Sequence, residues 1–289
     1  MGTPNLHTQT MLHPTDALRL ANARTFLFVP ANRPERFDKA LKAGADAVIV
    51  DLEDAVPAQE KDLARQSITR ESALLKASEV PVVVRVNASL DEVVWLRTSD
   101  WQPDAIMWPK AGSAAELTAV VNAAGSIPVI PLIESVSGYL YLRELAAVQG
   151  VVRLALGHID FMADSGINCS EDERELDPLR FAMCMASREA GLPAPIDGVT
   201  TALKDAVRIG TDVVRAMRFG FGGKLCIHPS QLECVHRSMA PSADEFNWAK
   251  QVLAAQGRAN GAAVQIGGQM VDLPVILRAQ TFLARAQAM

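Results

Sequence analysis

The sequence predicts a (β/α)8 TIM barrel with a C-terminal helical extension, and three observations predict it. Eight apolar, largely β-branched runs recur along the chain with helix-period segments between them; this is how strands buried on both faces of a parallel sheet read when helices connect them. Several runs end in a polar residue able to do chemistry, among them Ile133-Glu134 and Gly157-His158-Ile159-Asp160. In such barrels the loops at the C-terminal ends of the strands build the active site. Finally, 289 residues with 49% hydrophobic and only 5% aromatic content suit one large core filled by Ala, Val, Leu and Ile.

The elements follow in order. Residues 1–22 are a polar leader, without the charged start and apolar core of a secretory signal. Strands are expected at 25–29, 47–50, 82–86 and 105–108, then at 129–133, 151–156, a weak run at 194–196, and 223–227. Among the intervening helices, 178–190 and 203–208 stand out. Asp177-Pro178 supplies an N-cap followed by proline at the first helical position, and Gly44, Gly191 and Gly210 fall where helices should stop. The barrel therefore occupies residues 23–240. From Pro241 the pattern changes to a helix (243–256), a glycine-rich stretch (257–268) and a last helix beginning near Asp272-Leu273-Pro274. These make the extension, residues 241–289.

A net charge of −5 without any Lys/Arg run argues against a nucleic-acid surface. Four cysteines and no secretory signal point to a reducing, cytoplasmic setting. No apolar run approaches the roughly 20 residues of a spanning helix, so membrane insertion is not expected.

Hard cations such as Mg2+ bind oxygen, usually through one or two carboxylates plus water and substrate. Glu134 and Asp160, at the ends of adjacent expected strands, meet that need, whereas either alone would read as a helix cap or surface ion pair. Asp51, Glu53 and Asp54 follow one strand, and Arg85 stands near the end of the next. A guanidinium oriented by those acids can hold a substrate carboxylate or stabilise an enolate, or simply form a structural bridge. Gly220-Phe221-Gly222-Gly223-Lys224-Leu225 lacks the spacing of a phosphate loop and reads as a tight turn into a strand. Cys226/His228 and Cys234/His236 lack the usual zinc spacing. His228, before Pro229, suits a strand-end hydrogen bond, and the acidic run 171–175 a solvated loop.

With these residues in hand, the chain resembles the citrate lyase β-subunit-like branch of the HpcH/HpaI aldolase superfamily. The matching strings are RTFLFVPANRPERF (24–37), GADAVIVDLEDAV (44–56), VRVN (84–87), PK (109–110), IES (133–135), GHID (157–160), KLCIHP (224–229) and GQMVDLP (268–274). The resemblance implies a Mg2+ ion held by Glu134 and Asp160, and Arg85 in the substrate site with Asp51, Glu53 or Asp54 as orienting neighbours. It also implies that Asp272, which by itself reads as a helix N-cap, acts on the acetyl-CoA carbon in a neighbouring subunit of a homotrimer or higher multiple. Two departures bear on the acid pocket: His158 stands where many relatives have a small or hydroxyl residue, and Trp108 precedes Pro109.

The implied activity is cleavage of a short β-hydroxyacyl-CoA thioester, citramalyl-CoA to acetyl-CoA and pyruvate ahead of malyl-CoA to acetyl-CoA and glyoxylate. Alternatives are the cleaving subunit of citrate lyase, acting on citryl carried by an acyl carrier protein, an aldolase of free 2-keto acids, and a non-catalytic metabolite-binding protein.

Overall fold

The computed structural model describes residues 14–259, 264–266 and 269–287, which form two compact units divided between Leu232 and Glu233. In the first unit eight parallel strands are β1 Thr25–Pro30, β2 Ala47–Asp51, β3 Val82–Arg85, β4 Ala105–Trp108, β5 Val129–Ile133, β6 Ala155–Leu156, β7 Ile196–Asp197 and β8 Gly223–Cys226. They pair in sequence order, and β8 returns to β1 with Thr25 opposite Lys224. The barrel expected from the sequence is therefore the barrel observed.

Its interior follows from the two-residue period of strands. Phe26, Ala47 and Ile49, Val83, Ala105 and Met107, Ile130 and Leu132, Ala155, Ile196 and Leu225 form one buried cluster. Every strand contributes to it, which makes the lumen a packed core rather than a pore.

The largest departures from the expected strands fall at β6 and β7. The run 151–156 yields only a bridge at Val151 and the two residues of β6. Between them Arg153 is buried and donates to the carbonyls of Leu20 (2.9 Å), Ala23 (2.7 Å) and Ala194 (2.6 Å). That last bond, with Gly222 N–H donating to the Pro195 carbonyl, delays β7 to Ile196. The helix expected at 203–208 is Ala206–Phe219, because the Asp205 carboxylate accepts from Arg208 N–H at 2.9 Å and so fixes the start. Gly210 lies inside it, and Gly220, at φ 107°, ends it. Asp177 is the first residue of the helix Asp177–Glu189 rather than its cap, since a 3-10 turn, Arg174–Leu176, runs directly into it.

In the second unit the helix Ala243–Ala259 runs past the expected end at 256 and includes Gly257. A hairpin of β9 Val264–Ile266 and β10 Gln269–Val271 follows, then the helix Leu273–Gln287. Residues 260–263 and 267–268 of the expected glycine-rich stretch lie outside the described residues, as do 1–13 of the leader, whose last part is the helix Pro14–Asn22. Ala249, Val252, Ala279 and Phe282 pack this unit's core, with Trp248 edge-on to Phe282. Among the described residues no helix is long and apolar enough to cross a membrane.

Arg153 anchors the N-terminal end of the barrel by hydrogen bonds to three carbonyls and by lying over the Phe26 ring at 5.4 Å. Replacing it with alanine strands those carbonyls in a dry hole. Arg153→Ala should cost about 3 kcal/mol or more, read as a lower urea midpoint at unchanged slope; an unchanged midpoint would show that water replaces the guanidinium.

Candidate active site

Continuing the lumen-facing positions one step towards the C-terminal ends of the strands changes their chemistry. Phe26 leads to Phe28, Ile49 to Asp51, Val83 to Arg85, Leu132 to Glu134, Ala155 to Gly157 and Leu225 to Ile227. All six of these end positions line one cavity of about 370 Å3, together with Asp54, His158, Asp160 and Val199.

At its centre Asp51 and Arg85, opposite each other on β2 and β3, form a two-pronged pair, with Nε to Oδ1 at 2.7 Å and Nη2 to Oδ2 at 2.6 Å. Asp51 is fully buried and Arg85 nearly so. The Asp51 oxygens also accept from the main-chain N–H groups of Glu53 (2.9 Å) and Ala55 (3.2 Å). Arg85 pairs further with Glu53 at 2.8 Å and Asp54 at 3.4 Å, and its guanidinium carbon lies 4.9 Å from the Phe28 ring centre. Burial alone would favour its neutral form, but its hydrogen bonds to Asp51 and the charges of Asp51, Glu53 and Asp54 together outweigh that and hold its pKa above the ordinary value. Burial pushes Glu53 up, against the pull of Arg85.

Glu134 follows β5 and is buried. One oxygen accepts from the main-chain N–H of Lys110 at 2.7 Å. On its other side Gly157 leaves the room it needs, since a Cβ there would sit 2.5 Å from Oε2. Burial pushes the Glu134 pKa to about 8; the Lys110 N–H opposes this, and the charges of Glu53 and Asp160 add to it. Asp160 stands in the first turn of the helix His158–Ser165, at the mouth of the neighbouring strand β6.

The structure thus brings Asp51, Glu53, Asp54, Arg85, Glu134 and Asp160 together. Asp272 belongs to the second unit, where it is exposed and precedes the helix Leu273–Gln287; its Oδ1 accepts from Val275 N–H at 3.3 Å, the capping geometry. Of the two departures, Trp108 is buried in β4 and does not line the cavity, whereas His158 does. The imidazole of His158 packs against Gly198, where a Cβ would meet Nδ1 at 2.1 Å. Burial depresses its pKa. His228 caps the turn Pro229–Gln231 through Ser230 N–H, as a structural hydrogen bond would.

Two features escaped the sequence reading. Lys110 reaches Glu53 with its ammonium at 2.9 Å as well as Glu134 with its N–H. The acidic run 171–175 is not wholly solvated, because Glu173 is largely buried and takes Arg180 (2.5 Å), Arg208 (3.0 Å) and Arg215 (2.8 Å) on one carboxylate. Only the arginine spacing on helices 177–189 and 206–219 could have hinted at it.

At the C-terminal ends of its strands the closed parallel barrel thus carries a cluster of acids around one buried arginine. The chain is a member of the HpcH/HpaI aldolase/citrate lyase family, whose model matches residues 24–229. It is 35% identical to a citrate lyase subunit beta-like protein of Mycobacterium tuberculosis over 90% of this chain and 94% of the other. It is 32% identical to a (3S)-malyl-CoA thioesterase of Cereibacter sphaeroides, over 92% and 95%. Its fold matches that of the M. tuberculosis protein CitE solved with magnesium, acetoacetate and coenzyme A, with a TM-score of 0.79, 32% identity, and coverage of 92% and 99%.

In the metal-free protein, burial lets folded Glu134 keep its proton to about pH 8, whereas a glutamate in water releases it near 4.5. The native state holds the extra proton between those values, so stability falls as pH rises through them. In EDTA, the melting temperature of Glu134→Gln relative to the parent should climb from pH 5 to pH 9. A constant offset across that range would show that Glu134 ionises normally.

Proposed function

We propose that the protein is a Mg2+-dependent carbon–carbon lyase that cleaves a short β-hydroxyacyl-CoA thioester, citramalyl-CoA in preference to malyl-CoA. The observation that carries this is the charge imbalance of the cavity. Two cations, Arg85 and Lys110, stand among five carboxylates, Asp51, Glu53, Asp54, Glu134 and Asp160. Among the described residues two of those five, Glu134 and Asp160, form no ion pair, and burial drives Glu134 towards its neutral form. Two carboxylates, with water and substrate completing the shell, fit a hard divalent cation, and the similar protein CitE was solved with magnesium.

Glu134 and Asp160 would hold the ion. When bound, Mg2+ supplies positive charge for the hydroxyl and carboxylate oxygens of the departing acid fragment. The first turn of the helix His158–Ser165 presents N–H groups without helical partners beside the cavity, suited to a carboxylate. As the carbon–carbon bond breaks, its electron pair stays with the acetyl carbon, and Arg85 stabilises the resulting thioester enolate. The hydroxyl of the acid fragment gives its proton to solvent water, and its oxygen becomes the ketone of pyruvate. Asp272, from a neighbouring copy in a homotrimer or higher multiple, delivers a proton to the terminal carbon. Support for that placement is its exposure beside exposed Met270, Leu273 and Leu277, a carboxylate presented on an apolar surface. Val199, Leu225 and Ile227 line the cavity opposite the acids and favour a fragment carrying a methyl group, which is pyruvate rather than glyoxylate.

A second reading is hydrolysis of the thioester, in which water takes the place of CoA and the carbon chain stays whole; the similarity to (3S)-malyl-CoA thioesterase favours it. Product analysis separates the two. Citramalyl-CoA, malyl-CoA and free citramalate are each incubated with Mg2+ or EDTA, and keto acid is followed through a coupled dehydrogenase. Mg2+-dependent pyruvate release from the CoA ester alone is expected. Free citramalate and CoA without pyruvate would establish hydrolysis, and silence on all substrates would favour a carrier-protein subunit or a binding role. Asp272→Asn should abolish turnover while leaving CoA-ester binding by calorimetry intact; full activity would remove Asp272 from the reaction.

A further inference from the structure

Among the described residues three non-glycine positions have left-handed backbone, Ala88 (φ 48°), Lys110 (φ 52°) and Glu173 (φ 51°); Ala88 and Lys110 lie just past the C-terminal ends of β3 and β4, and Glu173 between the helix His158–Ser165 and the turn Arg174–Leu176. A residue with a Cβ is disfavoured there and remains only where its surroundings fix it. At Lys110 two contacts do so. Its main-chain N–H donates to Glu134 Oε1 at 2.7 Å, and its ammonium donates to Glu53 Oε1 at 2.9 Å. Glycine would relieve the strain but carries no ammonium; a lysine in extended backbone would aim its N–H elsewhere.

We infer that Lys110 is a positioning residue which ties the Glu134 carboxylate to the Glu53–Arg85 arm, one through its main chain and the other through its side chain. This rests on the proposed reading of Glu134 as a metal-holding carboxylate. The Glu134 side chain is confined from both sides, by the Lys110 N–H and by the close approach of Gly157. That leaves its orientation towards Asp160 set by the backbone of another strand's loop. The ammonium takes the Glu53 oxygen that Arg85 does not, since Arg85 pairs with Oε2 at 2.8 Å and Lys110 with Oε1. Lys110 is more than half exposed, so the ion pair is screened and adds little stability by itself. Its value lies in fixing where Glu53, and through it Arg85, points.

Two substitutions separate the arms. Lys110→Gly keeps the left-handed backbone and the N–H but removes the ammonium; Lys110→Val keeps an N–H but, being β-branched, leaves the left-handed region. Mn2+ binding to the full chain is titrated by electron paramagnetic resonance without substrate, melting temperature serves as the folding control, and kcat is measured on the active CoA ester. Lys110→Val should weaken Mn2+ binding roughly 10- to 100-fold, as loss of a supporting hydrogen bond to a metal ligand does. Lys110→Gly should keep Mn2+ affinity within about threefold while lowering kcat roughly tenfold, with Lys110→Arg restoring part of it.

Parent-like Mn2+ affinity in folded Lys110→Val would overturn the main-chain arm, and parent-like kcat in Lys110→Gly would overturn the side-chain arm. If Lys110→Val does not fold, Lys110→Ala takes its place, and Mn2+ affinity equal to that of Lys110→Gly overturns the main-chain arm. A parent protein that binds no Mn2+ would instead sink the metal reading, and this inference with it.

Discussion

The two-pronged bond between Arg85 and Asp51 is the constraint on which the rest of the site depends. Two charges removed from water are costly unless their geometry is good and their remaining donors and acceptors are satisfied. Here each requirement is met by a different part of the chain. Register across β2 and β3 sets the pair side by side, the turn after β2 supplies the N–H groups of Glu53 and Ala55, and Glu53 and Phe28 cover the outer face of the guanidinium. Surrounding one arginine with acids then leaves an excess of negative charge, which is felt at Glu134.

The cavity is consequently lopsided. The strands β2, β3, β5 and β6 deliver Asp51, Arg85, Glu134 and, just beyond, Asp160, whereas the ends of β7, β8 and β1 deliver Val199, Ile227 and Phe28. The same division explains why Gly157 and Gly198 are glycines: one makes room for the Glu134 carboxylate on the polar arc, the other for the ring of His158 behind it.

Most of the fold was legible because each strand is a short apolar run, and the polar residues of the site were legible because they sit at the ends of those runs in lumen-facing register. Asp51, Arg85 and Glu134 could be found by counting in twos. What stayed hidden was set by contacts distant in sequence. Arg153 spends its hydrogen bonds on Leu20, Ala23 and Ala194 and so shortens β6 and β7, and no local pattern announces that. Lys110 and Glu173 owe their places to a left-handed backbone that their residue types do not favour, and the acids or arginines they meet lie on other strands and helices. Asp205 as the cap of the helix Ala206–Phe219 was readable in principle, but Gly210 drew attention to the wrong end of it.

Closure of the ring by β8 against β1 joins residues about 200 positions apart. The strands β2 to β5, which place Asp51, Arg85 and Glu134, are consecutive in the chain, but the lumen above them is closed only by β8. Joining so distant a pair carries a large loop-closure entropy and is slow. Burial of Asp51, Glu53 and Glu134 therefore depends on contacts between the two ends of the barrel sequence, which makes the site a property of the closed ring and not of any run of consecutive strands.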